Sequence, residues 1–333
     1  MPIARRSLLA VAATLPLVGI GHARAAEFTY KLATNLPGPH PLNVRAQEAI
    51  DRIREATGGQ VEITLHPASK LGGDTDVMKK LLSGEVGLFT LSGLILSSIV
   101  PTASINGLGF AFKNYQQVWG AMDGKLGKYM RDEITKQGPV VLARIWDNGF
   151  RQTTSNLKPI RTPDDLRGMK VRVPVSPLSV SMFTALGAQP AGMNLSQAYT
   201  ALQDHTMDGQ ENPLALIRAA KFFEVQTFCS LTNHMWDAYW LLANDAAWAR
   251  LPPRTRDIVE GEFDRSILEE RADLVRLSPD VRGDLITAGL DINPVDTAPF
   301  QQALRKAGFY AEWRGRYGET AWRLLEDYVG ALS

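Results

Sequence analysis

Residues 28–91 read FTYKLATNLPGPHPLNVRAQEAIDRIREATGGQVEITLHPASKLGGDTDVMKKLLSGEVGLFTL. Three segments of this stretch have the alternating or continuous apolar pattern of strands, and they are residues 28–33, 61–65 and 86–91. Helical spacing begins at His40 and ends at Gly58, and a second helix begins after a loop that Asp74 or Thr75 caps. This strand–helix–strand–helix–strand order predicts a parallel, doubly wound α/β sheet.

The second half of the chain repeats this pattern. Strand character returns at Val140–Trp146 and at Lys170–Val173. Helical segments are predicted from Thr162 to Gly168, over 178–186 and 195–202, and from Asn212 onward. A longer helical pattern covers residues 252–277, which corresponds to about 39 Å at 1.5 Å per residue and is enough to cross two domains.

Arg172 stands near the end of the run Lys170-Val-Arg-Val-Pro174. Pro174 has no amide hydrogen for a strand ladder, so the strand ends there, and open α/β sheets bind ligands at the carboxyl ends of their strands. The planar guanidinium of Arg172 matches a carboxylate in a bidentate pair. The alternative is a structural ion pair, with a partner among Asp164, Asp165 and Glu211.

The first 25 residues have the character of an export signal. Arg5 and Arg6 precede an apolar stretch from Leu8 to Ile20, and Ala23-Arg-Ala25 is a small-x-small cleavage site. The paired arginines also suit the twin-arginine route, and the apolar stretch, about 13 residues, is short for a membrane anchor. We therefore expect cleavage near Ala25 and a periplasmic protein.

Composition and charge are those of an ordinary globular protein. The 333 residues are 45% hydrophobic and 21% charged, and without residues 1–25 the chain has 33 basic and 35 acidic side chains. This near-neutral balance argues against nucleic acid as a partner. A single cysteine, Cys229, excludes an intrachain disulfide.

Motifs of enzymes and cofactor sites are not found in the sequence. It contains no dinucleotide-binding glycine pattern, no phosphate-binding loop, no zinc-protease motif and no nucleophile elbow, so we expect neither a cofactor nor a metal. A hydrolase or isomerase that uses Asp204-His205 or Glu211 is the rival hypothesis. A ligand sensor that presents itself to a receptor is another.

A series of short segments resembles one family. The series is Pro67-Ala-Ser-Lys-Leu-Gly72, Asn148-Gly-Phe-Arg151, Asp165-Leu-Arg-Gly-Met-Lys-Val-Arg-Val-Pro174, Ala201-Leu-Gln203, Asp208-Gly-Gln-Glu-Asn-Pro213, Glu224-Val-Gln226 and Asn233-His234. In this order and spacing it resembles the periplasmic substrate-binding subunits of TRAP transporters, of the DctP type. The resemblance extends over essentially all of residues 27–330.

The resemblance implies an α/β protein of two lobes with doubly wound sheets, hinge strands and a long helix that spans both lobes. We expect lobe I to comprise residues 26–148 and 238–277, and lobe II residues 149–237 and 278–333. The family implies that a small organic acid is captured without chemistry and delivered to one small and one large membrane subunit. Closure of the hinge would shift the population towards the state that binds the ligand better.

The resemblance also implies roles for individual residues. Arg172 matches the position that pairs with the ligand carboxylate, Arg151 resembles a second arginine near it, and Asn212 resembles an asparagine that hydrogen-bonds it. On the residues alone, Asn212 before Pro213 is equally compatible with a pure N-cap, and Arg151 with a surface arginine. Asp74 is a further candidate ligand contact.

The remainder of the expected site is apolar. Trp146, Trp236 and Leu195, together with Phe150, are candidates for apolar walls, with core packing as the alternative for each. The loop at residues 92–96 is also apolar, which argues against a heavily hydroxylated sugar acid because such a ligand needs several polar partners. The chain departs from the family pattern at Gln197-Ala198 and at Asp204-His205, where specificity cannot be carried over.

Overall fold

The computed structural model describes residues 25–332. The predicted export signal and its arginines therefore lie outside the described residues, except for Ala25. No helix within the described range combines the length and the apolar character that crossing a membrane requires.

Eleven strands are described, with bounds close to those predicted where a prediction was made. They are β1 (Phe28–Ala33), β2 (Val61–His66), β3 (Leu88–Ser92), β4 (Val140–Phe150), β5 (Gln152–Ser155), β6 (Lys170–Val173), β7 (Gln189–Gly192), β8 (Gly209–Asn212), β9 (Phe228–Leu231), β10 (Trp236–Ala243) and β11 (Asp291–Pro294).

Thirteen α-helices connect and cover these strands in the described part of the chain. They are α1 (Pro41–Ala56), α2 (Asp74–Ser83), α3 (Gly93–Leu96), α4 (Tyr115–Met122), α5 (Lys125–Thr135), α6 (Pro177–Ala185), α7 (Leu195–Gln203), α8 (Leu214–Ala219), α9 (Asp245–Ala249), α10 (Pro253–Thr287), α11 (Ala298–Lys306), α12 (Phe309–Tyr317) and α13 (Glu319–Val329). The segment predicted as a helix from Thr162 is instead a 3₁₀ turn of four residues, Pro163–Leu166. The predicted cap is present, since a capping box at Thr162 begins the turn.

The strands form two mixed sheets. The first has the order β2-β1-β3-β10-β4 and the second β11-β9-β5-β8-β6-β7. In the first sheet β1 is parallel to β2 and β3, whereas β10 is antiparallel to β3 and β4; in the second, β5 is antiparallel to β8 and β9. The two-sheet α/β architecture is as predicted. The expectation of a purely parallel sheet is wrong, because β10 enters the first sheet and β5 the second in the antiparallel direction. Strands β5 and β7 to β11 were not recognised in the sequence.

The chain passes directly between the sheets twice. Only Arg151 separates β4 in the first sheet from β5 in the second, and residues 232–235 return the chain from β9 to β10. The two crossings run in opposite directions, so β10 is antiparallel to β4 in the first sheet and β5 is antiparallel to β9 in the second. These two crossings are the hinge strands that the family resemblance implies.

Helix α10 is longer than the sequence pattern indicated. It has 35 residues, corresponding to about 52 Å, and continues ten residues past the predicted end at Leu277, through Pro279. It packs against α1 and β4 beside the first sheet and against α8 beside the second. The predicted long helix that reaches both parts of the molecule is thus confirmed.

Two fully buried carboxyl groups meet where α10 packs on β4. The Glu270 side chain accepts a hydrogen bond from the main-chain N–H of Asp147, at 3.1 Å, and Asp147 accepts another from the indole of Trp236, at 2.9 Å. Burial raises the pKa of Asp147 to about 7, and burial together with the charge of Asp147 raises that of Glu270 well above its usual range. The remaining ionisable neighbours of the pair are Tyr115, Arg271 and Asp273.

Because the pKa of both carboxyl groups rises on folding, the folded protein binds more protons than the unfolded chain at any pH between the unfolded and the folded pKa values. Stability from this pair is therefore present at low pH and is lost as the pH rises through the folded pKa values, which are about 7 for Asp147 and well above the usual range for Glu270. We expect Glu270→Gln to reduce that loss by roughly 1–3 kcal/mol between pH 5 and pH 8. Urea unfolding of both proteins across this range measures it, and parallel pH profiles would contradict it.

Candidate functional site

The two arginines of the site converge through strand pairing. β6 is parallel to β8, and Arg172 is in register with Gln210 two residues before Asn212. β5 is antiparallel to β8 and its first residue, Gln152, is in register with Asn212, so the preceding Arg151 lies at the same edge. Residues far apart in sequence are thereby brought to one end of the second sheet, as predicted for the carboxyl ends of parallel strands.

The first sheet contributes the opposite wall. Tyr239 of β10 is in register with Ser92 at the carboxyl end of β3. The Tyr239 hydroxyl donates to Asn35, which follows β1, at 3.2 Å, and Ser92 donates to the carboxylate of Asp237 at 2.6 Å. The cavity between the sheets has a volume of about 10 Å³, enough for a single water. Its lining residues are Asn35, Ser92, Ile95, Arg151, Arg172, Pro174, Leu195, Asn212, Leu216, Asp237 and Tyr239.

Arg151 is saturated with internal partners. Its Nε donates to the Glu211 carboxylate, Nη1 donates to Asp237 Oδ2 at 2.6 Å, and Nη2 donates to Glu211 Oε1 at 2.8 Å and to Asn212 Oδ1 at 3.0 Å. Burial opposes its charge, but the two carboxylates raise the pKa of Arg151 above its ordinary value. Arg151 is therefore the centre of a buried ionic network and not a surface arginine.

Glu211 and His234 complete this network. The Glu211 carboxylate also contacts His234 Nε2 at 2.9 Å, and both side chains are at most 2% exposed. Burial disfavours its charge, yet Arg151 and His234 lower the pKa of Glu211. An ionised carboxylate fixed by a guanidinium is a poor general base, so this geometry gives no support to a catalytic role for Glu211.

Arg172 is equally buried but differently partnered. Its side chain is 2% exposed, and its Nε and Nη2 both donate to the main-chain carbonyl of Met193, at 3.1 and 2.6 Å. No carboxylate among the described residues lies within 4.0 Å of it. Burial, followed by the charge of Arg151, lowers the pKa of Arg172 to about 10, so the guanidinium is still charged at neutral pH.

The proposed structural partners of Arg172 are engaged elsewhere. Asp164 pairs with Arg167 at 2.7 Å and Asp165 with Lys158 at 3.2 Å, while Glu211 pairs with Arg151. The structure thus holds a buried cation at the cavity without a described anion within 4.0 Å of it. Since burying an unpaired charge is costly, an anion in the cavity would stabilise this arrangement.

Asn212 does not act as a helix cap. It ends β8, and the N-cap of α8 is Pro213, without a side-chain hydrogen bond. The Asn212 amide instead accepts from Arg151 and donates to Gln210 Oε1 at 2.5 Å. The cap interpretation is therefore wrong, and the Arg151 network fixes the Asn212 side chain at the cavity.

The remaining candidate residues are distributed unevenly. Leu195 lines the cavity, whereas Trp146 and Trp236 are fully buried in the two apolar cores and are not among the lining residues. Asp74 lies beside the cavity, next to its lining residue Asn35. Seven of the eleven lining residues are polar or charged, so the loop residues 92–96 do not make the cavity as apolar as the sequence suggested.

Phe150 faces a second and larger cavity. That cavity, of about 440 Å³, is bordered by the crossing strand, α8 and α10, and shares no lining residue with the first. The alternation of an extended chain explains this: Phe150 and Gln152 point to one face and Arg151 to the other. Sequence reasoning could have separated Phe150 from Arg151 by this alternation.

Asp204 and His205 are remote from these groups. Both side chains are exposed just beyond the end of α7. Neither lines the cavity that holds Arg172. Residues missed by the sequence reasoning are Asn35, which follows β1, and Asp237 and Tyr239 of β10. Asp237 could have been suspected as an acid inside an otherwise apolar strand.

Two α/β sheets that are joined by paired crossings and enclose a charged cavity define a two-lobed solute-binding protein. Residues 32–312 match the model of the bacterial extracellular solute-binding protein family 7, DctP. The chain belongs to this family, as its resemblance indicated. The family consists of binding proteins of TRAP transporters and not of enzymes.

Individual relatives agree with this assignment. A solute-binding protein of Roseobacter denitrificans is 32% identical over 285 residues, 86% of this chain and 87% of the relative. A TRAP periplasmic solute-binding protein of Sulfurospirillum deleyianum with bound succinate superposes with a TM-score of 0.86 at 29% identity, covering 91% of this chain and 99% of its own. A structure from R. denitrificans with bound L-galactonate has a TM-score of 0.85 and 29% identity over 92% and 99%.

Proposed function

We propose that this chain captures a small organic acid by pairing its carboxylate with Arg172 and delivers it to the small and large membrane subunits of a TRAP transporter. The observation that supports this is the buried Arg172 guanidinium, which meets the cavity with a single main-chain carbonyl as its hydrogen-bonding partner. Exclusion of water from the closed cavity strengthens such an ion pair. Arg151 holds Asn212 in place to donate or accept a further hydrogen bond.

The lobes are proposed to close about the two crossings, with residues 26–148 and 238–277 in one lobe and 149–237 and 278–333 in the other. The cavity is too small for an organic acid as it stands, so uptake requires the lobes to separate and to close again on the ligand. We also propose that the chain is exported to the periplasm and that its signal is cleaved near Ala25.

A thermal-shift screen of organic acids tests the proposed function. The protein should be stabilised by at least one class of carboxylates, and an Arg172→Ala variant that folds normally should lose the shift. Stabilisation that persists in the variant would contradict the assignment. Turnover of the ligand by the purified protein would contradict a pure binding role.

A direct contact between the lobes offers an independent test of closure. The main-chain N–H of Asp74 donates to Asn194 Oδ1 at 3.2 Å, between residues of the two proposed lobes. A Cβ at Gly73 would lie 2.8 Å from Asn194 Nδ2. The backbone of Gly73 has φ −69° and ψ 162°, which alanine adopts readily.

We expect Gly73→Ala to fold normally but to oppose closure, weakening ligand affinity roughly 3–10-fold because fewer molecules reach the closed state. Gly38→Ala is the matched control, since a Cβ there meets nothing within 4 Å. Adding Asn194→Ala to Gly73→Ala should relieve the clash and recover part of the affinity. Equal affinities for the Gly73 and Gly38 variants in calorimetry would contradict this closure contact.

A further inference from the structure

Asp74 is a buried acid without a cationic partner. Its side chain is 2% exposed and neither carboxyl oxygen has a hydrogen bond of normal length and angle, although the Asn35 side chain lies close enough to favour the ionised form. The two acids of the Arg151 network, in contrast, both have partners. Glu211 is paired with Arg151 and His234, and Asp237 is paired with Arg151 and Ser92. A buried polar group that stays unpaired costs free energy, which makes such a group a candidate for contact with a ligand.

The position of Asp74 is set by the fold. It is the first residue of α2, and its main-chain N–H is held by Asn194 of the opposite lobe. Its carboxyl group lies next to Asn35, and its charge acts on Tyr239 and on Arg172. Asn35, Tyr239 and Arg172 all line the cavity, so Asp74 and Arg172 approach it from different lobes.

No ion pair joins Asp74 to Arg172. Their side chains are more than 4.0 Å apart, beyond the distance of an ion pair. Burial raises the pKa of Asp74 to about 6, an increase that Asn35 and Arg172 oppose, so the group is mainly ionised at neutral pH. Arg172 therefore lines the cavity as a fixed cation on one lobe, and Asp74 lies beside the cavity on the other as a separate anion without an ion pair.

This asymmetry restricts the ligand. An ionised carboxylate accepts hydrogen bonds and donates none, so the part of a ligand that meets Asp74 must bring a donor. A hydroxyl or ammonium group does so, whereas a second ligand carboxylate would place two anions together in a buried site. A site built to pair with a donor rejects analogues that lack it more strongly than an apolar pocket rejects a size change.

We propose that Asp74 is a specificity-determining residue that selects acids with a hydroxyl or ammonium group away from the carboxylate and disfavours dicarboxylates. This inference rests on the proposed function, because it takes Arg172 as the site of the ligand carboxylate. The ligand class inferred for this chain is narrower than that of its relatives, which include proteins with bound succinate and with bound L-galactonate. It also replaces the expectation of an apolar far wall.

Matched acids of equal length test the inference. For chains of three to six carbons, calorimetry compares the terminal hydroxy acid, the terminal amino acid, the unsubstituted monocarboxylate and the dicarboxylate, with aldonates of the same lengths added. We expect the best donor-bearing acid to bind at least tenfold more tightly than the dicarboxylate of its length. The hydroxy and amino arms show which donor Asp74 accepts.

Variants separate Asp74 from the rest of the site. Asp74→Asn should reduce the preference for the donor over the dicarboxylate at least tenfold, and Asp76→Asn, an exposed acid two residues later, should leave it unchanged. Thermal unfolding of each variant checks that it folds. A dicarboxylate or an unsubstituted acid that binds wild type as tightly as any donor-bearing acid would overturn the inference, as would an unchanged preference in Asp74→Asn.

The same measurements distinguish a failure of the specificity inference from a failure of the proposed function. If dicarboxylates bind best and binding is lost in Arg172→Ala, the specificity inference fails while carboxylate capture stands. If no carboxylate binds, or if binding persists without Arg172, the proposed function fails and the inference fails with it.

Discussion

Replacing Arg172 with alanine is expected to weaken binding of the cognate acid roughly 30-fold or more while the protein still folds. The guanidinium is 2% exposed, and its only described hydrogen bonds go to the carbonyl of Met193. A ligand carboxylate in the closed cavity would lose its charged partner and remain buried, which typically costs 2–5 kcal/mol. Isothermal calorimetry with the acid found in the ligand screen measures the loss.

Two further variants make this test specific. Arg172→Lys retains a positive charge but loses the planar fork, so its affinity should fall between those of wild type and Arg172→Ala. Arg167→Ala removes an exposed arginine that pairs only with Asp164, and it should bind normally. Unchanged affinity in Arg172→Ala would show that the ligand carboxylate binds elsewhere.

Replacing Arg151 with alanine is expected to lower the free energy of unfolding by about 3–5 kcal/mol. Arg151 neutralises Glu211 and Asp237, whose side chains are at most 1% exposed. Without the guanidinium, two carboxylates would remain buried, with His234 in contact with Glu211 and Arg172 more than 4.0 Å away. Denaturant unfolding at neutral pH measures the effect, and the loss should exceed that of Arg172→Ala, since Arg172 has no carboxylate partner within 4.0 Å.

The pH dependence of the Arg151 variant provides a second readout. Arg151 lowers the pKa of Glu211 in the wild type, so the stability from this pair is present at neutral pH and is lost as the pH falls through the folded value. The difference between wild type and Arg151→Ala should therefore shrink in acid. An equal stability loss for both arginine variants would contradict the distinction between them.

Much of the fold could be predicted from the sequence because its signals are local. The alternation in Phe28–Ala33 and Val61–His66 and the helical spacing after His40 depend on neighbours within a few residues, and each segment is found as predicted. The long helix was recognised for the same reason, although its last ten residues continue through Pro279. β10 was missed because Asp237 interrupts its apolar run, and a short apolar run without alternation does not distinguish a buried strand from a buried helix.

The site was predictable as a set of positions but not as a set of partners. Pro174 located Arg172 at a strand end, and the family spacing placed Arg151 and Asn212 near it. The sequence did not indicate that Arg151 is neutralised by two carboxylates while Arg172 has none. The partners of Arg151 lie 60 and 86 residues away, on strands that meet it only through antiparallel pairing.

The chain alone therefore specified the α/β class, the family and the residues with charge, since composition, period and spacing are properties of the linear chain. The folded molecule assigned each charge its role, because a buried ion is defined by which counter-charge is close enough to neutralise it. Arg151 meets Glu211 and Asp237 in the folded state, whereas Arg172 lines the cavity without a carboxylate within 4.0 Å and Asp74 lies beside the cavity without a cationic partner.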